Sequence, residues 1–248
     1  MYDAPVEALL RVGDSCLVLA QRLTAWCGHA PALEEDIALA NVALDILGQA
    51  RGLLTRAGEL EGAGRDEDAL AYLREAPEFR NLLLVEQPNG DFGHTMLRQL
   101  FFDAWAVELW AALSTSSDEV VAGIAGKAVK EAAYHVRHSA SWVIRLGDGT
   151  EESHRRMLMA LDSLWPYAGE AFLGDDVDRA AVGLMPLPSS LLPAWRYRVE
   201  TVLKEATLPL PPDPYWQRGG RQGRHSEHLT YLLAEMQVVH RAHPGAQW

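Results

Sequence analysis

A helical bundle holds a pair of metals with a Glu from each of two helices and a Glu-x-x-His from each of two others. Carboxylates bridge hard cations, and i, i+3 spacing sets an imidazole beside its acid. This sequence has acids in such places without the imidazoles. Asp45 is followed three residues on by Gly48, and Glu131 by Tyr134, while His135 and His138 stand at i+4 and i+7 from Glu131. Asp103 and Glu108 belong to a third long segment, and the first has only Asp14 and Gln21 in its interior. Asp45, Gly48, Asp103, Glu131 and Tyr134 therefore mark the frame of a degenerate metal site. The competing reading is a polar seam of hydrogen bonds and salt bridges, with Lys127 at i−4 as partner of Glu131. The missing imidazoles favour the seam, because buried carboxylates need a partner where they lack a metal. No metal is expected in this chain.

Other chemistries find less support. His225-x-x-His228 and His240-x-x-His243 sit at the two ends of one predicted helix, far from either cysteine. The second pair suits a helix C-terminus, where positive charge complements the dipole. No G-x-S-x-G elbow is present, and GELEGAGRDED (58–68) is neither a dinucleotide loop nor a Walker motif. Its acids read as the solvated start of a helix. Cys16 and Cys27 fall on one predicted helix, about 16 Å apart at ~1.5 Å per residue, too far to bridge. Reduced thiols are expected.

The elements that must position these residues are helical throughout, since no segment alternates apolar and polar with β-branched enrichment. Periodicity predicts helices over 6–27 and 33–57, the second opened by Glu34, Glu35 and Asp36 and closed by Gly58. A long connection over 59–90 holds helical pieces near 66–74 and 78–86. Asp91 is placed to cap a helix over 92–115, and Ser116-x-x-Glu119 reads as a capping box opening one that runs to 146. Thr150 caps the next, which Trp165-Pro166 breaks before 167–173. Helices over 190–206 and 226–243 flank a Pro- and Gly-rich extended arm, 208–224. Two hairpins of long helices joined by one long connection give an all-α, ferritin-like four-helix bundle. A single domain is expected over 1–248, with its core over 6–146 and additions over 147–248.

The chain has 248 residues, 48% hydrophobic and 23% charged, with a net charge of −12. That balance excludes a disordered chain and opposes nucleic acid and anionic membrane surfaces, which need a basic patch. The N-terminus has no basic region ahead of an apolar run, and the longest uncharged stretch, 180–195, holds three prolines. A cytoplasmic protein is expected. Trp26, Trp105, Trp110, Trp142 and Trp165 fall on helix faces as core or interface. Trp195, Tyr197, Tyr215, Trp216 and Trp248 suit a partner surface.

WCGHAP (26–31), EEDIALANVALDILGQAR (34–51), NLLLVEQPNGDFGHT (81–95), LGDGTEESHRRM (146–157) and HLTYLLAEMQVVH (228–240) together resemble the C subunits of ring 1,2-phenylacetyl-CoA epoxidases. These are components of a bacterial multicomponent monooxygenase of phenylacetate degradation, and the resemblance covers nearly the whole chain. It implies a non-catalytic, ferritin-like structural subunit that pairs with the catalytic A subunit of the epoxidase. The di-iron centre would lie in that A subunit, with NADPH, flavin and iron–sulfur in the reductase component and no cofactor in this chain. The resemblance also implies phenylacetyl-CoA contact at Glu78, Phe79, Arg80 and Asn81, and near Arg179, Ala180 and Ala181. Arg80 and Asn81 suit the phosphates or amides of CoA, and helix packing would explain them equally. Two other readings stand beside this one: an oxidase or oxygenase with its own di-metal centre, and a stand-alone acyl-CoA-binding module.

Overall fold

The computed structural model describes residues 2–246. Its helices are, in chain order, α1 (Ala4–Thr24), α2 (Leu33–Glu61), α3 (Glu67–Tyr72), α4 (Leu83–Glu86), α5 (Phe92–Leu113), α6 (Glu119–Gly147), α7 (Glu151–Leu164), α8 (Asp176–Ala180), α9 (Pro188–Glu205) and α10 (Glu227–Ala242). No strand occurs among the described residues, and the fold is all-α and ferritin-like. The chain divides into two compact units, one built from residues up to Pro88 and from Gly219 onward, the other from Asn89 to Arg218.

The first unit is built on the α1–α2 hairpin. From Val6 to Ala20 every residue of α1 is buried, the polar Glu7, Arg11, Asp14 and Ser15 included. A helix enclosed on all sides must satisfy such groups internally. Helix α2 runs one turn beyond Gly58, which lies against the Arg65 carbonyl, and ends at Gly62. Gly62 takes the left-handed conformation (φ 66°) and donates its N–H to the Gly58 carbonyl at 3.1 Å. The acidic 64–68 segment does start a helix: Asp66 accepts the Ala69 N–H at 2.8 Å. The helical piece expected over 78–86 is instead a 3₁₀ turn at Ala76–Glu78, an extended stretch, and α4.

The second unit is built on the α5–α6 hairpin, with α7 and α9 against α5. Asp91 caps α5 by accepting the His94 N–H at 2.9 Å. The box predicted from Ser116 does not form. Asp118 caps α6 by accepting from Val120 and Val121, while Ser116 donates to the Leu184 carbonyl at 2.8 Å. Thr150 caps α7 as expected, with Ser153 as its reciprocal partner.

Trp195 is not at a surface. It is 1% exposed, stacked on Trp165 at 6.0 Å, and its indole N–H donates to the Phe101 carbonyl at 2.9 Å. The prolines around it concealed a helix, since Pro188 and Pro193 both lie within α9. Trp216 lies half-buried against Trp165 and Gly169. Tyr197 and Tyr215 are each 75% exposed. Trp248 is outside the described residues. Trp105, Trp110 and Trp165 are buried, and Trp26 and Trp142 half-buried.

Candidate functional site

The positions of the degenerate metal frame are not gathered around a common point within either unit. In the first unit Asp45 is half-buried and Gly48 exposed on α2. In the second, Glu131 pairs with Lys127 at 3.1 Å, as the seam reading expected. Tyr134 is 47% exposed and its ring stacks on His138. Asp103 is enclosed, accepting from Ser139 Oγ at 2.8 Å and Gln99 Nε2 at 3.3 Å. Burial pushes its carboxyl up to about 8, against the pull of the Ser139 hydrogen bond. Among the described residues no group of three or more His, Cys, Asp or Glu is placed to hold a metal, so these residues do not fit a di-metal centre.

The segment expected to meet substrate lies in the first unit and mostly faces inward. Phe79 and Asn81 are fully buried. Glu78 is exposed and accepts the Glu75 N–H at 2.8 Å. The Arg80 guanidinium binds Glu7 through Nε at 2.6 Å, and through Nη1 the carbonyls of Pro77 and Phe79, each at 2.8 Å. The geometry therefore spends three of the four side chains on the chain itself and leaves Glu78 at the surface.

Two buried charge clusters hold this segment, and sequence reasoning missed both. Asp14 of α1 takes both terminal nitrogens of Arg74 and also the Arg80 backbone N–H at 2.8 Å. Arg74 further donates to the Leu70 carbonyl at 2.5 Å and lies over the Phe79 ring at 4.3 Å. In the second cluster the Glu86 carboxyl accepts Asn81 Nδ2 at 3.0 Å and the Ser226 N–H at 2.6 Å, and meets His225 Nδ1 at 2.9 Å. His225 Nε2 faces the Phe79 carbonyl at 3.0 Å. A carbonyl oxygen only accepts, so Nε2 carries a hydrogen. Arg22 adds a bond to the Glu86 carbonyl at 2.6 Å. The clue in the sequence was a lone acid at the end of the apolar run LLLVE, which had to find a partner on burial. The spacing of His225 suggests no more than one of a histidine pair at a helix end.

Arg179, Ala180 and Ala181 belong to the second unit. Arg179 pairs with Asp176 on the exposed side of α8, Ala180 is exposed, and Ala181 is buried where its carbonyl accepts the N–H groups of Leu184 and Met185. They form a helix end.

What the inward clusters do chemically is lock segments: Asp14 holds α1 to 74–80, and Glu86 holds α4 to 225–226. Over residues 2–248 the chain matches the phenylacetic acid catabolic protein family. It is 51% identical over 241 residues to the C subunit of the 1,2-phenylacetyl-CoA epoxidase of Escherichia coli (strain K12), covering 96% of this chain and 97% of that protein. The residues quoted above as carrying the resemblance thus lie inside a match that runs almost end to end, and the chain belongs to the phenylacetic acid catabolic protein family.

Proposed function

We propose that this chain is the non-catalytic, structural subunit of a phenylacetyl-CoA 1,2-epoxidase of phenylacetate catabolism, paired with a di-iron catalytic subunit. The observation that carries this reading is the identity of 51% with a named C subunit, spread over nearly the full length of both chains. The polar interior supports it: Asp14, Glu86 and Glu131 are each paired within their own unit, and burial raises the Asp103 carboxyl to about 8. On this reading the metal, NADPH, flavin and iron–sulfur chemistry belongs to the other components. This chain's part is to bind and brace the catalytic subunit, with Glu78 the one exposed member of the 78–81 segment where phenylacetyl-CoA would approach.

The test is co-expression with the catalytic subunit, followed by sizing and metal analysis of both the complex and the isolated chain. A stable complex whose iron resides in the partner is expected. Near-stoichiometric iron or manganese in the isolated chain would overturn the reading, as would a monomer that binds phenylacetyl-CoA and ignores the catalytic subunit.

A further inference from the structure

Helix α2 has two apolar faces. One, carrying Leu39, Val42, Ile46 and Leu53, is buried. The other is open: Leu33 is 73% exposed, Ile37 54% and Leu44 64%, with Leu47 half-buried beside them. At 3.6 residues per turn these four share one stripe. Having both faces is why α2 is long and apolar enough, by length and composition alone, to cross a membrane.

Two features on the same line point to an occupant. The stripe runs into a cavity of about 320 Å³ between α1, α2 and α3, floored by Leu17, Ala50, Leu54 and Ala71 and bordered by the Arg51–Glu67 pair. Leu47 belongs to both stripe and cavity. Next to it stands Gly48, exposed and in mid-helix, where a Cβ would meet nothing among the described residues within 4 Å. Glycine weakens a helix interior, and none of the described residues fills the space it leaves. A second helix laid along the stripe would use it, because a missing side chain lets backbones approach closely.

Charge selects the kind of helix. The stripe is bordered by Glu34, Asp36 and Asp45, with Asp68 at the cavity mouth, and the chain carries −12 overall. A second copy, or an anionic bilayer, would set like charge against this border. We infer that the face of α2 from Leu33 to Gly48 seats a helix of a different chain. That helix is apolar along one edge, flanked by lysines or arginines, and places an apolar side chain in the cavity beyond Leu47. The inference rests on the proposed role of this chain within a larger complex and adds the surface through which it pairs.

The test measures affinity for the purified catalytic subunit, with melting temperature as a check on folding, for the natural chain and for Gly48→Leu, Leu44→Glu and Met159→Glu. Met159 is an equally exposed residue on α7. Gly48→Leu is expected to melt no lower than the natural chain yet bind at least tenfold more weakly. Leu44→Glu should also lose at least tenfold, and Met159→Glu should stay within twofold. Tight binding by the natural chain, Gly48→Leu and Leu44→Glu alike would overturn the assignment of α2 alone. Absence of binding by the natural chain would overturn its proposed structural role with it. Two further results would give the face to another occupant and equally overturn the inference. One is a dimer of this chain that Leu44→Glu dissolves. The other is flotation with phosphatidylglycerol–phosphatidylethanolamine vesicles that Leu44→Glu abolishes.

Discussion

A carboxyl enclosed by Ser139 and Gln99, as that of Asp103 is, keeps its proton at a pH where exposed carboxyls have lost theirs. Its value of about 8 lies above the ordinary 3.8, so between those two pH values the folded chain binds a proton that the unfolded chain releases. Stability from this residue is therefore highest in acid and falls as pH rises toward 8. Asp103→Asn removes that dependence. Relative to the natural chain the variant should gain up to about 1.4 kcal/mol per pH unit between about pH 5 and about pH 8. Urea unfolding across that range reads the difference, and a constant offset would show that Asp103 is charged when folded. Thiol chemistry gives a second prediction at this scale. Burial pushes Cys16 up to about 12 while Cys27 is exposed, so Ellman's reagent should titrate Cys27 alone in the native chain and both thiols in denaturant. Prompt reaction of Cys16 in the native chain would mean that the first helix opens readily.

Elements are tied together here by buried charges: Asp14 joins α1 to 74–80, and Glu86 joins α4 to 225–226. Arg74→Met leaves Asp14 buried in α1 with only the Arg80 N–H, and should cost about 3–5 kcal/mol of unfolding free energy. The double replacement Asp14→Leu, Arg74→Met should cost less than the two singles summed, since it removes the charge along with its partner. Denaturant titration of the three variants checks both statements, and strict additivity would contradict them. The return of the chain before α10 is as constrained. A Cβ on Gly220 would run into the Asn81 carbonyl, so Gly220→Ala should lower the melting temperature and hasten proteolysis in 208–224. Resistance to protease equal to that of the natural chain would show that this turn does not hold the arm. Long helices were legible in the sequence because periodicity is a local signal: α1, α5 and α6 fall within a few residues of expectation. Their ends were less so. Gly58 looked like a stop, but its missing Cβ serves a close approach to the Arg65 carbonyl, a contact that no local pattern announces. Trp195, the Asp14–Arg74 pair and the Glu86–His225 pair were hidden for the same reason, each being defined by a partner dozens of residues away.

At the scale of the whole molecule, a chain with −12 net charge keeps a ferritin-like helical fold while Asp14, Glu86 and Glu131 pair with arginine, histidine and lysine. Gly48 and Tyr134 were legible as positions without the imidazoles that a di-metal frame needs. Of the local pairs, Lys127–Glu131 was legible from its i, i+4 spacing, whereas Asp14–Arg74 and Glu86–His225 were not, because spacing cannot match partners 60 and 139 residues apart. In the role proposed above, this chain braces a catalytic partner without performing the chemistry. Its most direct test is turnover of phenylacetyl-CoA by the purified catalytic subunit with its reductase, NADPH and O₂, as this chain is titrated in. Turnover is predicted to rise and saturate at a fixed ratio of the two proteins, with none from this chain and the reductase alone. Full turnover before any of this chain is added, or turnover by this chain without the catalytic subunit, would rule that role out.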